Sequence, residues 1–243
     1  MKIEISLLDS QRFDIKVAKA VEFNAADLGD IEAYCISNDI DLLIARVSTN
    51  EISVAQDLEK LGHRLMDTLV YYKFDYAKKP APQNVTPFVI RNVSGNIDYA
   101  LEVSSVAGEA FAGYFGHYHA DSKLDRKVSD SIYSDWAYRS TIDSSVANAV
   151  LGAFIEDKIT GFITLRINSE GYGELALNGV SPVFQKRGLY RALVLSGMEW
   201  LHQSGLDQIF VSTQINNISA QKVWTRLGFE MDHSFYTFHK WFK

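Results

Sequence analysis

Apolar residues recur along this chain with two alternating spacings: every second position, as half-buried strands require, and every third or fourth, as helices packed on a sheet require. Asp41-Leu-Leu-Ile-Ala-Arg-Val47 is an apolar run of strand length. A polar helical stretch follows, then Leu61-Gly62 and an aromatic strand from Leu69 to Tyr76. Past residue 88 the spacing predicts a strand over Phe88–Val93 and a helix over Asp98–Phe111 with Tyr99, Ala100, Val103, Val106, Ala107, Ala110 and Phe111 on its inner side. Asn148–Ile155 and Ile159–Ile167 read as a hairpin turning at Glu156-Asp-Lys158, and Glu174–Val180 reads as the next strand. Leu189–His202 has helical spacing, Gln208–Ile215 alternates again, and Phe235–Phe242 closes the chain as an aromatic strand. This succession predicts an α/β (α+β) chain.

Part of the pattern occurs twice. A shift of 166 positions lays Asp41 on Asp207, Asn50 on Asn216, Ile52 on Ile218, Ser53 on Ser219, Leu61 on Leu227 and Gly62 on Gly228 without a gap, and the order of elements agrees. Three of the four prolines, Pro80, Pro82 and Pro87, crowd one polar window, where fixed φ and missing N–H donors disfavour regular structure. The expected organisation is a degenerate first half over residues 1–79, a linker over 80–87 and a complete domain over 88–243.

The richest stretch is Val180-Ser-Pro-Val-Phe-Gln-Lys-Arg-Gly-Leu-Tyr-Arg-Ala-Leu193, a strand end passing through a basic, glycine-bearing turn into a helix. Free N–H groups and the positive end of a helix dipole attract phosphate at such a junction, and Lys186, Arg187 and Arg191 add charge. The first copy has nothing equivalent: Phe23–Asn38 is acidic and holds no Gln-x-x-Gly, so it is not expected to bind the same ligand.

Composition narrows the partners. A net charge of −6 argues against nucleic acid and anionic membranes, so the cations near the loop act locally, on a small anionic ligand. A single cysteine, Cys35, excludes an internal disulfide. With no apolar run of signal or membrane-spanning length, a cytoplasmic protein without membrane insertion is expected.

The loop resembles the donor-binding signature of the GNAT superfamily of acyl-CoA-dependent N-acyltransferases, roughly V-x-P-x-x-[RQ]-x-x-G-x-[GA], through Val180, Pro182, Gln185 and Gly188, with Tyr190 at the small-residue position. Asn217-Ile-Ser-Ala220-Gln-Lys-Val-Trp224-Thr-Arg-Leu-Gly228-Phe229 resembles the second signature, N-x-x-A-x-x-x-Y-x-x-x-G-F. The resemblance implies a mixed, mostly antiparallel central sheet flanked by helices, and acetyl-CoA as co-substrate without a metal. Asn178, Gly179 and Val180 would pair with the pantetheine arm, and the N–H groups of Gln185, Lys186, Arg187, Gly188, Leu189 and Tyr190 would hold the pyrophosphate. Arg191, Asn217 and Trp224 complete the expected donor site.

In this family a tyrosine at the position of Trp224 commonly protonates the departing thiolate, which an indole cannot do. Tyr190 or Tyr236 supplies the hydroxyl instead, the thiolate leaves unaided, or the site is inactive. Glu174 and His233 are the candidates for the base. The segment Gly113-Tyr-Phe-Gly-His-Tyr-His-Ala-Asp121 borders the acceptor in the family. Tyr114, His117, Tyr118, His119 and Tyr133 are accordingly the expected acceptor contacts. Metal binding by His117 and His119 lacks further ligands at the required spacing.

The whole chain resembles the dTDP-fucosamine acetyltransferase family, which implies a nucleotide-linked amino sugar as the small-molecule acceptor. A protein N-terminus, a polyamine, or a non-catalytic coenzyme A-binding role are the alternatives. The sequence leaves open whether the first half mediates a homodimer.

Overall fold

The structure, a computed structural model, describes residues 1–243. Ten strands form one sheet in the order β1-β2-β3-β10-β4-β9-β8-β7-β6-β5. The first segment contributes β1 (Lys2–Ile5), α1 (Leu7–Phe13), β2 (Val17–Val21), α2 (Leu28–Ser37), β3 (Leu42–Ser48), α3 (Ile52–Lys60) and β4 (Arg64–Asp75). Residues 80–87 have no helix or strand, as three prolines dictate. Next come β5 (Val89–Asn92), α4 (Ile97–Ala110), α5 (His117–Ala120), α6 (Arg126–Ile142), β6 (Ala149–Ile155), β7 (Lys158–Ile167) and β8 (Gly173–Val180). The chain ends with α7 (Leu189–Gln203), β9 (Gln208–Gln214), α8 (Ile218–Arg226) and β10 (Glu230–Trp241). Only β2–β3 and β8–β9 pair in parallel, and the other seven neighbouring pairs are antiparallel.

The internal repeat is written into the geometry. Adding 166 to the bounds of β3 (42–48), α3 (52–60) and β4 (64–75) returns those of β9 (208–214), α8 (218–226) and β10 (230–241). Gly62 and Gly228, which end the two equivalent helices, share the left-handed conformation (φ 85° and 92°), where a Cβ would clash with the backbone. The copies exchange their last strands: β10 lies between β3 and β4, and β4 lies between β10 and β9. The two segments therefore do not stand side by side as separate bodies, because the closing strand of each completes the sheet of the other.

Alternation along the strands distributes the core to both faces. Ile163, Leu165 and Leu175 pack under Leu193, Val194 and Met198 of α7, while Phe162 and Leu177 point the other way, into a cluster with Val103, Ala107 and Ala137 of α4 and α6. At Gly197 a Cβ would sit 2.9 Å from a Leu175 methyl, so this glycine lets α7 lie close on the sheet. Ile31, Leu43, Ala45, Val54 and Leu58 fill a third cluster under α2 and α3. Asn96 caps α4 by accepting from the N–H groups of Asp98 (2.9 Å) and Tyr99 (3.1 Å). Asp125 caps α6 in the same way, from Lys127 and Val128.

Candidate functional site

Strand β8 pairs with β9 over Gly173–Leu175 only, whereas its other edge stays paired with β7 as far as Val180. A bulge at Ala176, which has no partner between Leu175 and Leu177, turns the strand at the point of divergence. The edge of β8 from Ala176 to Val180 is thus open toward β9. The resulting gap enters a cavity of about 560 Å³.

At the end of the open edge the chain makes a short 3-10 turn (Pro182–Phe184) and enters α7 through Gly188, the N-cap, at φ 86°. Lys186 also has positive φ (63°), and the Gln185 side chain donates to the Val180 carbonyl at 3.1 Å, folding the turn back on its strand. From Lys186 to Arg191 no backbone N–H donates within the chain. Six consecutive free donors at a helix N-terminus, in an exposed turn carrying Lys186, Arg187 and Arg191, form an anion cradle. The Leu189 side chain is in the core, so only its N–H faces the turn.

Asn178, Asn217 and Trp224 line the cavity next to the gap. The Asn217 Nδ2 group donates to Thr213 Oγ1 at 2.9 Å, while its Oδ1 caps α8. Trp224 is fully buried, and its Nε1–H donates to the Tyr190 hydroxyl at 2.9 Å, which donates in turn to Asn178 Oδ1 at 2.8 Å. Tyr190 is therefore one hydrogen bond behind the wall rather than part of it. Burial raises its pKa, partly opposed by the Trp224 hydrogen bond, so it stays a neutral phenol at ordinary pH.

The aromatic segment closes the opposite side. Tyr114, His117, Tyr118 and Tyr133 all line the cavity, with Tyr133 stacked on Phe111 at 4.3 Å. Burial pushes the Tyr114 hydroxyl up to about 12. Glu174, at the root of the gap, also lines it; burial raises its pKa and Arg166 lowers it, the first effect prevailing.

Three expected residues are elsewhere. Tyr236 packs against the core cluster of the first segment, because alternation along β10 turns it to that face, and it does not reach the cavity. His119 accepts from the Gly116 N–H and bonds Asp130 through Nε2 (3.2 Å), holding the start of α5 instead of an acceptor. His233 stacks on Tyr71 at 4.5 Å and bonds the adjacent Asp232, outside the cavity wall.

Sequence reasoning missed the contribution of the first segment. Asp9 and Arg12 from α1, Lys19 from β2, Arg46 from β3 and Tyr71 from β4 all line the cavity. Asp9 is 1 % exposed and surrounded by donors: Ser6 Oγ (2.8 Å), the Tyr118 hydroxyl (2.9 Å), Lys19 (2.5 Å) and Arg12 (3.6 Å). Burial alone would raise its pKa, but Lys19 and the hydrogen bonds outweigh that and lower it. Arg46 has no carboxylate within ion-pair distance, and its Nε is buried without a partner, as is Gln214 Oε1 nearby on the same wall. Polar side chains recurring in otherwise apolar strands, such as Arg46 in Leu42–Ser48, were the available signal.

A strand edge open over Asn178–Val180, with an anion cradle where it ends, is the arrangement that the sequence resemblance implies. Residues 113–229 match the model of the Acetyltransferase (GNAT) family. The chain superposes on a GCN5-related N-acetyltransferase from Sphaerobacter thermophilus with a TM-score of 0.66, at 15% identity, covering 98% of this chain and 76% of that one. The protein has the GNAT fold. A tandem GNAT protein from the clavulanic acid biosynthesis pathway superposes with a TM-score of 0.64, at 13% identity over 93% of this chain and 75% of that one. Among curated relatives, a mycothiol acetyltransferase from Nocardia farcinica is 32% identical over 181 residues, 72% of this chain and 56% of that protein. The chain thus spans little more than half the length of that relative, and its name is not that of the nucleotide amino-sugar family expected from sequence.

No helix of the chain is long and apolar enough to cross a membrane.

Proposed function

We propose that the protein transfers an acetyl group from acetyl-CoA directly to the amine of a small polar acceptor. The observation that carries this reading is the run of six free N–H groups from Lys186 to Arg191 at the end of an open strand edge, which fits a pyrophosphate followed by an amide-bearing arm. Acetyl-CoA, when bound, supplies the thioester whose carbonyl the amine attacks. The open edge at Asn178–Val180 would hold the pantetheine arm, and a backbone N–H near Val180 would face the oxygen on which negative charge grows. Holding amine and thioester together across one cavity supplies a large share of the acceleration.

Tyr190 could donate a proton only through movement of Asn178 or Trp224, which screen it from the cavity. Its part in this reading is to fix both groups, leaving the thiolate to depart unaided or through water. On the acceptor side, Tyr133, Tyr114 edge-on to it, and Arg46 suit a polar, ring-bearing amine. An amino-sugar acceptor remains compatible with these contacts, while the curated relatives' name supports acetyl transfer without adding support for a nucleotide sugar.

A thiol-release assay with acetyl-CoA against amino sugars, polyamines and peptides tests the proposal. Turnover of a small amine is expected. Acetyl-CoA binding without thiol release for any amine would instead establish a non-catalytic coenzyme A-binding role.

A further inference from the structure

We infer that His117 is the base that takes the proton from the acceptor amine, and that His239 and Asp121 form a buried relay behind it. The inference rests on the acetyl-transfer reading. His117 Nδ1 lies 2.9 Å from His239 Nε2, and His239 Nδ1 lies 2.8 Å from Asp121 Oδ2. All three side chains are buried, and they come from α5, β10 and the turn after α5. Of the three, only His117 lines the cavity, where its Nε2 has no hydrogen-bond partner in the chain.

The direction of every hydrogen bond in this chain follows from one end. Asp121 also accepts from the Trp241 indole at 2.8 Å and the Lys123 N–H at 3.0 Å, so its oxygens are surrounded by donors and its carboxyl is ionised. An acceptor-only carboxylate requires His239 to carry its proton on Nδ1. Where His239 carries no second proton, its Nε2 offers a lone pair, and the bond from His117 is Nδ1–H donating. His117 Nε2 is left as a bare lone pair facing the cavity, the arrangement a base requires.

The proton balance closes. The N–H bond of the acceptor ammonium breaks as an Nε2–H bond forms on His117. The Nδ1–H proton of His117 passes to His239 Nε2, and the positive charge settles on His239 beside Asp121. Nothing is oxidised or reduced. In the complete transfer one proton goes to the departing thiolate and one to solvent.

The charged and titratable groups around His117 are Lys19 on β2, Arg46 on β3, Asp67 on β4, Tyr118 and His119 on its own helix and His239 on β10. Asp67 accepts the His117 backbone N–H at 3.1 Å. Burial above all, with the positive charges of Arg46 and Lys19, holds His117 well below the ordinary histidine range, so it is neutral and available around pH 7. The relay moves the proton away from Lys19 and Arg46 toward Asp121, which offsets the low intrinsic basicity of that position.

The 243-residue chain with ¹⁵N-labelled histidine tests the relay without any acceptor: at pH 7 His117 and His239 should both show Nδ1–H tautomers, and an Nε2–H tautomer at His117 would overturn the inference. With an amine that the wild type acetylates, His117→Gln should lower kcat by roughly 10²- to 10⁴-fold with the KM for acetyl-CoA held. His239→Phe should lower kcat less but shift the acid limb of the kcat/KM profile, which a merely structural residue would not do. Wild-type turnover in His117→Gln, with loss in Glu174→Gln, would assign the base to Glu174. Absence of turnover in the wild type would instead fail the acetyl-transfer reading itself, and the base assignment with it.

Discussion

Leu69 and Phe235, separated by 166 positions and therefore equivalent in the two repeats, face each other directly in the β4–β10 pairing. A residue can oppose its own counterpart in an antiparallel pair only on a twofold axis, so the repeat's pseudo-symmetry axis passes between them. The flanking registers agree, since Leu42 opposes Trp241 while Gln208, its equivalent, opposes Asp75.

This interleaving predicts that residues 88–243 do not fold alone. Removal of residues 1–79 takes away both neighbours of β10 and one of β9, exposing Phe238 and the unpaired edges of two long strands. Expressed alone, the fragment should be insoluble or molten by near-UV circular dichroism. Co-expression with residues 1–87 should restore a soluble 1:1 complex.

At Gly188 the strain is in the backbone, since a side chain would meet nothing within 4 Å of its Cβ but φ is 86°. Replacement by Val costs on the order of 1–2 kcal/mol or more to hold the turn, so the exposed loop relaxes to another conformation. Calorimetric titration should show acetyl-CoA affinity reduced at least about tenfold, with far-UV circular dichroism unaltered. Unchanged affinity would remove this turn from the donor site.

Tyr190→Phe strips an acceptor from the buried Trp224 indole and a donor from Asn178. Two unsatisfied groups predict a loss of about 1–3 kcal/mol in chemical denaturation. Trp224→Phe combined with it should cost less than the sum of the single changes, the sign of a direct coupling.

Arg46→Ala should raise the acceptor KM by roughly tenfold or more, corresponding to about 1.5–3 kcal/mol for a hydrogen bond to a charged group, without moving the KM for acetyl-CoA. An equal rise in both would show that Arg46 supports the cavity rather than touching the acceptor.

Glu174 and Asp9 give opposite pH dependence. The pKa of Glu174 is raised by burial, so its contribution to stability is greatest below the ordinary glutamate pKa and is lost as pH rises through the raised value. Glu174→Gln should therefore melt higher than wild type at pH 7, with the gap closing in acid. The Asp9 pKa is lowered despite burial, so its contribution is present above the ordinary aspartate pKa and lost as pH falls through the lowered value. Asp9→Asn should cost about 3–5 kcal/mol at neutral pH, because Lys19 and Arg12 lose a buried counter-charge.

What the sequence disclosed is what local chemistry controls. Element limits around Leu189 and Ile159 lie within a residue or two of expectation, because spacing and turn residues are local signals. The loop at Gln185–Gly188 was legible for the same reason. The repeat was visible through Gly62 and Gly228, but the exchange of closing strands was not, since either pairing satisfies the same alternation in β4 and β10. Tyr236 was misplaced because its face depends on register. Arg46 stands out in the sequence only as a charge in an apolar strand; it, Lys19 and Asp9 were not assigned to a site because their segment lacks the anion-binding loop and long-range strand pairing sets its place beside the cavity.

The strand exchange has a further consequence for how such a molecule can change over generations. His239 sits on the exchanged strand β10, between Ile44 and Arg64 of the first copy, and Arg46 is two residues along from Ile44. If the acetyl-transfer proposal holds, a copy without a loop of its own would help to select the amine that the other copy accepts, and substitutions outside residues 113–229 would offer a route to a new acceptor.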